Sequence, residues 1–241
     1  LLLFMLFNKN IKKINSTNYT VALVGNPNVG KSTIFNALTG MHQHTGNWPG
    51  KTVENASGIC NYKNKNYRLI DLPGTYSLMS HSEEEEIARN YICFGKSDTL
   101  LIVVDATCLE RNLNLVYQSL EITPNIILCV NLLDEAKRKG ININLDLLSR
   151  RLGIPVVGTI AKSKKTLKSL MSQVENICTK KIHLSPIKLN YGVAIEESIE
   201  ILEPLIHKQL TNAHSYLARW ISIKLIEGDA EILSSISKQL N

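Results

Sequence analysis

The chain has little that would take it into a membrane or an oxidising compartment. Its longest wholly apolar run, Leu1 to Phe7, is far too short to span a bilayer. That run lacks a basic n-region and a small-residue cleavage site, so it reads as an N-terminal extension over 1–17 and not as a signal peptide. Cysteines are few: Cys60, Cys93, Cys108, Cys129 and Cys178 are odd in number and scattered, with no C-x-x-C pair, the usage of reduced cytosolic thiols. Aromatic residues make up only 6% of the chain. None interleaves the basic groups at Lys137-Arg138-Lys139, Lys162 to Lys168 and Lys180-Lys181. The formal charge of +6 therefore reads as solvated surface and not as a nucleic-acid platform. Internal repeats and low-complexity tracts are absent. What remains, 44% hydrophobic and 20% charged residues over 241 positions, is the balance of a soluble globular protein with one domain of ordinary size and a smaller one.

Against that plain background the stretch Val21 to Thr33, "VALVGNPNVGKST", stands out. Gly25, four residues, then Gly30-Lys31-Ser32 fits the G-x-x-x-x-G-K-[ST] spacing, with a β-branched strand pattern before it and helix formers after it. Successive backbone N–H groups from Gly25 through Asn28, Val29 and Gly30 to Thr33 can converge on a phosphate, and the helix starting near Lys31 adds its positive dipole end. Lys31 is expected at the β- and γ-phosphates and the Ser32 hydroxyl on Mg²⁺. Gly40 ends that helix as a C-cap.

Further along, Met41 to Lys51 reads as a polar Gly/Asn-rich loop. A hairpin follows: Val53 to Tyr62, a turn at Lys63 to Asn66, and Tyr67 to Leu72. Ser82 with Glu83 to Glu86 is an N-cap with acids in the first turn, opening a helix toward Phe94. Next come the buried strand "TLLIVVDA", a helix over Asn112 to Leu120 and the buried strand "NIILCV". Short helices around Asp134 to Lys139 and Leu145 to Leu152 lead to a last strand, "IPVVGTI". Continuous apolar strands alternating with helices call for an α/β domain over 18–178, a mostly parallel sheet covered on both faces. Over 179–241 the period becomes helical, at Ile195, Ile199, Leu202 and Ile206, then Leu217, Ile221 and Leu225, with Asp229 capping a final helix. That region is a small all-helical domain.

The base is read at the ends of the later strands. In "NLLD", Asn131 to Asp134, a carboxylate can accept from guanine N1–H and its exocyclic amine, donors that adenine lacks. An unpaired buried carboxylate costs about 1–3 kcal/mol per lost bond, enough for about two decades of discrimination. Asp134 is thus the expected guanine reader, Asn131 the tie back to the phosphate loop, and the Ala161 N–H the partner of guanine O6. In "DLPG", Asp71 would hold Mg²⁺ through water and the Gly74 N–H would meet the γ-phosphate. The threonine that closes on Mg²⁺ is expected at Thr52, with Thr45 the lesser candidate. Thr75 stands where a water-orienting glutamine is expected, so hydrolysis must use backbone groups, another loop or a bound cation, and Lys31, Thr52, Gly74 and Asn28 form the expected catalytic set. The Asn28 oxygen could ligate a monovalent cation near the β/γ bridge or simply suit a turn backbone. Taken together, order and spacing imply a GTP-binding domain of Ras-like architecture.

"GNPNVGKSTIFNALTG", "TGNWPGKTVE", "DLPGTYSL", "DATCLERNLNL", "NLLDEAKRKGI" and "RLGIPVV" resemble the cytosolic region of the ferrous iron transport protein B family over Val21 to Thr159, and "RWISIKLIEGD" resembles that family's helical domain. The resemblance implies a GTPase, with GTP/GDP and Mg²⁺ as ligands, on the cytoplasmic face of the bacterial inner membrane. It further implies a membrane-embedded Fe²⁺ permease region, in the same polypeptide or a separate one, and a helical domain that modulates GDP release. A homo-oligomer is compatible with it, and no nucleic acid is expected. By resemblance, Asn28 and the carbonyls of Gly46 and Trp48 would hold K⁺. The chain departs from the family at Ile160-Ala161, where Ser-Ala is common and a bracing hydroxyl is lost.

Other groups have a plainer reading. Glu83 to Glu86 fit a helix start better than a metal-collecting patch, Glu197 and Glu200 a solvated helix face, and His42 and His44 a loop without further ligands. The rival function is an RNA- or ribosome-associated GTPase, for which the tail offers no nucleic-acid motif. An ATP-using kinase is disfavoured by Asp134.

Overall fold

Successive residues of a strand point to opposite faces, and in this sheet both faces are apolar. In strand β1 (Tyr19–Gly25), Val21 and Leu23 point to one side and Ala22 and Val24 to the other; all four are fully buried. The computed structural model describes residues 19–40, 43–49, 51–79, 82–210 and 215–240, and the expected extension over 1–17 lies outside them. The remaining strands are β2 (Gln43–Asn47), β3 (Glu54–Tyr62), β4 (Lys65–Asp71), β5 (Thr99–Asp105), β6 (Ile126–Asn131) and β7 (Val156–Gly158). They form one seven-stranded sheet in the order β2-β3-β4-β1-β5-β6-β7. Only the β2–β3 and β3–β4 pairs are antiparallel; from β4 to β7 every neighbour runs parallel.

Helices cover both faces. Helix α1 (Lys31–Thr39) and helix α6 (Lys164–Cys178) pack Ile34, Phe35, Leu170, Met171 and Val174 onto the side of Val21 and Leu23. The opposite side receives α2 (Glu83–Phe94), α3 (Leu109–Ile122), α4 (Leu133–Arg138) and α5 (Leu145–Leu152), through residues such as Tyr91, Leu115, Ala136 and Leu152. The expected caps are in place. Ser82 Oγ accepts from Glu85 N at 3.2 Å, and Gly40 ends α1 in the left-handed conformation, φ 62°.

Beyond α6 the chain runs beside α5, with Ile187 N donating to Leu152 O at 2.9 Å, while Ile182 and Leu184 still pack against the sheet. Helices α7 (Val193–Gln209), α8 (Ala218–Glu227) and α9 (Ala230–Leu240) follow. Leu217, Trp220, Ile221, Ile232 and Ile236 join the core on the α2–α3 side. Asp229 Oδ1 accepts from Ile232 N at 3.0 Å, as its capping role requires. A polar joint accompanies this packing. The Arg219 guanidinium of α8 donates to Glu121 of α3 (3.3 Å), to both carboxylate oxygens of Glu196 in α7 (3.1 and 3.0 Å) and to Leu189 O in the connector (2.8 Å). Burial raises the Glu121 pKa, against the lowering effect of Arg219.

Several sequence expectations need correction. Residues 43–47 are not loop: they form edge strand β2, with Gly46 opposite Asn55. Residues 164–178, to which the sequence assigned no element, form α6, capped by Ser163 Oγ, with Lys164, Lys165 and Lys168 exposed as expected. Helix α3 starts at Leu109, earlier than expected, and β7 is confined to 156–158. Ile195 and Leu225, expected on apolar faces, are 37% and 42% exposed, because Ile199 and Ile221 take the buried positions of their helices. No described helix is long and apolar enough to cross a membrane.

Candidate functional site

Strand β1 sits between β4 and β5, and the chain leaving its carboxyl end turns sharply before α1. Packing dictates the residue types in that turn. A Cβ on Gly25 would collide with the Val103 carbonyl of β5, and one on Gly30, which has φ 81°, would come within 2.5 Å of Asn131 Nδ2. Asn28 is exposed with φ 65°, the left-handed backbone that asparagine tolerates better than most residues. Val29 is buried, while Ser32 and Thr33 are exposed at the start of α1.

The loop after β4 closes against this turn. Thr75 N donates to Gly25 O at 3.1 Å, and a Cβ on Gly74 would lie 3.4 Å from Pro27 Cα. Lys31 Nζ is held by the Asp71 carboxylate and by Leu72 O, 2.6 Å away, and Ser32 Oγ donates to the other Asp71 oxygen at 3.2 Å. Gly25, Gly30, Lys31, Ser32, Asp71 and Gly74 are thus brought together. Thr75, in the position of a water-orienting glutamine, is 2% exposed and its hydroxyl donates to Ser77 O at 2.6 Å. It is committed to the loop's own shape.

The base-reading loops are tied to the same turn from the far side. Asn131, at the end of β6 and fully buried, donates from Nδ2 to Val29 O at 3.0 Å, the tie expected of it. Leu132 then takes φ 60°, a backbone that costs an L-residue about 1–2 kcal/mol. That turn starts α4, on which Asp134 is exposed. Ala161 lies in the loop after β7, half-buried. Its bracing hydroxyl, which Ile160 cannot supply, comes from Thr166: Oγ1 accepts from Ile160 N at 3.2 Å and shares its proton between Ile160 O and Ser163 O. Thr166 escaped the sequence reading because its partner is six residues back and no motif marks it. A signal was there: Ser163 and Thr166 flank the helix start as hydroxyls at N-cap spacing.

Other expected residues are not brought into this cluster. Thr52 Oγ1 donates to Glu83 Oε2 at 3.2 Å, and Lys51 pairs with Glu86 (3.0 Å) and Glu83 (3.5 Å), so their loop is fastened to the first turn of α2. Trp48 is 6% exposed and meets the Tyr91 ring edge-on at 5.7 Å. Its carbonyl accepts from Lys51 N, and Gly46 sits in the β2–β3 ladder; no described contact joins either to Asn28. Thr45 and His44 are exposed on β2, and His42 lies outside the described residues. Among the described residues no group of three or more His, Cys, Asp or Glu side chains could hold a metal ion. Glu83 and Glu86 pair with Lys51, Glu85 accepts from Ser77 Oγ, and Glu197 and Glu200 are exposed. All five cysteines are free, and four are buried.

The family model for ferrous iron transport protein B matches residues 19–174, and the model for the FeoB cytosolic helical domain matches residues 191–241. A fusion of Fe(2+) transport protein A with the Fe(2+) transporter FeoB from Porphyromonas gingivalis is 39% identical over 229 residues, covering 94% of this chain and 27% of that protein. The Fe(2+) transporter FeoB of Escherichia coli is 37% identical over 218 residues, covering 87% of this chain and 27% of the transporter. The chain therefore spans about a quarter of the length of these curated relatives. Among solved structures, the cytosolic domain of Legionella pneumophila FeoB superposes with a TM-score of 0.82 at 32% identity, covering 91% of this chain and 86% of that one. A GDP-bound variant of Streptococcus thermophilus NFeoB gives 0.80 at 35% identity, covering 90% and 82%. With both family models matched in order, and with relatives above 30% identity along most of its length, the chain belongs to the ferrous iron transport protein B family.

Proposed function

We propose that this region binds GTP, hydrolyses it to GDP and phosphate, and reports the nucleotide state through its helical region to a membrane-embedded Fe²⁺-transport region. The observation that carries the reading is the Asn131–Val29 hydrogen bond of 3.0 Å. It fixes the phosphate turn against the strand end that delivers Asp134, so two ends of one guanosine nucleotide are gripped in register.

In this reading the triphosphate lies in the turn from Gly25 to Thr33, where backbone N–H groups and the start of α1 favour anions. Lys31 exchanges the Asp71 carboxylate and Leu72 carbonyl for the β- and γ-phosphate oxygens. Ser32 Oγ and the released Asp71 carboxylate are hard oxygen donors of the kind Mg²⁺ takes, Asp71 through water; the ion neutralises the phosphates when bound. The Gly74 N–H meets the γ-phosphate, and Thr52 leaves Glu83 to close over the site. Asn28 presents its amide oxygen beside the phosphates, in keeping with a K⁺ role; Gly46 and Trp48 would have to move to share it. The helical region, 179–241 by the sequence division, acts on GDP release, and the site works at the cytoplasmic face of the inner membrane. An RNA-associated GTPase is not favoured, since the residues beyond the sheet match the helical domain of a transporter family.

Calorimetry with GTP, ATP and xanthosine triphosphate, on the wild type and on Asp134→Asn, tests this. The wild type is expected to prefer GTP over ATP by about 100-fold, from two hydrogen bonds at about 1–3 kcal/mol each. Asp134→Asn should lose GTP and gain the xanthine nucleotide, whose 2-oxo group accepts from an amide. Equal uptake of ATP and GTP by the wild type would overturn the reading.

A further inference from the structure

Thr159 lies just after β7 and is fully buried. No nucleotide-binding motif includes it, yet it meets Asn131, which ties the phosphate turn to the base loops, and the start of the helix that carries Asp134. Its Oγ1 donates to Asn131 Oδ1 at 3.1 Å and stands 3.1 Å from Cys129 Sγ. Its carbonyl accepts from Leu133 N at 3.3 Å, at the start of the helix that carries Asp134, and its N–H donates to Val130 O at 2.8 Å.

The direction of this chain of bonds follows from chemistry. Asn131 Nδ2 is committed as donor to Val29 O, so the acceptor Oδ1 faces Thr159. The threonine proton must then go to Oδ1, which leaves Thr159 Oγ1 to accept from the Cys129 thiol. Burial pushes that thiol up to about 12, so the S–H is present at neutral pH. The run Cys129 S–H, Thr159 O–H, Asn131 amide, Val29 carbonyl has one consistent polarity. Turn the amide over, and its oxygen would oppose the Val29 carbonyl while its NH₂ group met the hydroxyl. The Val29 carbonyl, which can only accept, selects between the two, and the Thr159 hydroxyl anchors the amide in the selected orientation by donating to Oδ1.

We propose that Thr159 is a positioning residue for guanine nucleotide: its hydroxyl holds the Asn131 amide in the orientation that carries the phosphate turn, so that turn and base loops present one preformed site. The proposal rests on the GTP reading above and adds a determinant of affinity outside the nucleotide-binding motifs.

The test uses GDP and GTPγS, with affinity and dissociation rate measured for the wild type, Thr159→Val, Thr159→Ser and Thr159→Ala, alongside thermal midpoints without nucleotide. Thr159→Val keeps the shape and deletes the donor, leaving Oδ1 unpaired in the interior; affinity is expected to fall by about tenfold or more, chiefly through faster dissociation. Thr159→Ser restores the donor and should stay within about threefold of the wild type. Thr159→Ala covers the case in which the valine variant does not fold. In an Asn131→Ala background, Thr159→Ala should have no further effect on affinity, because the amide through which it acts is gone. A lowered midpoint with unchanged affinity would make Thr159 merely structural and overturn the proposal. So would Thr159→Ser weakening binding as much as Thr159→Val. If the wild type itself binds neither nucleotide, it is the functional reading that fails.

Discussion

Two lysine–carboxylate clusters at opposite ends of the sheet domain use the same chemistry for different ends. At the phosphate turn, Lys31 and Asp71 pair across two loops, and each has further polar partners, Leu72 O for the lysine and Ser32 Oγ for the aspartate. At the hairpin, Glu175 of α6 is 4% exposed and takes Lys63 (2.7 Å), Lys65 (3.2 Å) and Lys181 (3.5 Å). There one carboxylate is saturated by three cations, and the result is a clasp between β3–β4 and α6. At the turn the pair joins groups that a triphosphate and a metal would compete for. Equal charge contacts are therefore not equal evidence of function; what separates them is whether the partners have somewhere else to go.

The sharpest way to break this comparison is to delete the lysine at the turn. Lys31→Ala should weaken GTP binding by about 100-fold or more, since charge-assisted bonds to phosphate contribute about 1.5–3 kcal/mol each. The same calorimetry on Glu175→Gln should find affinity within about twofold of the wild type. If the two variants lost affinity alike, the distinction would collapse.

Acid sharpens it from the other side. The hydrogen bond from Lys63, then that from Lys65 and the charge of Lys181, hold the Glu175 carboxyl down to about 2 against an ordinary 4.5. A carboxylate with a lowered native pKa stabilises the fold above its unfolded value and loses that contribution as pH falls toward the native one. Denaturant midpoints of the wild type should therefore drop between the two values by more than those of Glu175→Gln. The variant should be the less stable at about pH 5, with the gap closing at lower pH. Parallel pH profiles would remove the clasp.

The smallest effect is expected at a third cluster, Lys51 with Glu83 and Glu86, where the lysine side chain is 31% exposed and the glutamates 40% and 37%. Solvent screens such pairs, so Lys51→Gln should change stability by no more than about 0.5 kcal/mol in chemical denaturation. Its pKa is raised, first by the Glu86 hydrogen bond, far above neutrality, so no pH effect near 7 is expected.

What could be seen in the sequence was whatever local chemistry decides. Gly25 is demanded by backbone contact and Gly30 by its left-handed φ, Ser82 and Asp229 by unpaired N–H groups, and the strands of "TLLIVVDA" and "NIILCV" by burial on both faces. Strand β2 was invisible because "QHTGN" carries no apolar alternation; it is a strand only because β3 offers an edge. Helix α6 was legible and overlooked. Leu167, Leu170, Met171, Val174 and Ile177 recur at helical spacing, but the lysines at its start drew the reading toward surface charge. Thr159 could not be found, since it acts on Asn131, a partner that only the folded chain brings near.

The Arg219 joint has one more consequence. Its acceptors lie on three separate segments, α3, the connector and α7, and all are engaged by a single rigid fork. Peeling away any one of them leaves the fork an acceptor short, so the three segments are coupled through one side chain. Such a fastening links movement of one segment to the other two, which suits the signalling role proposed for the helical region.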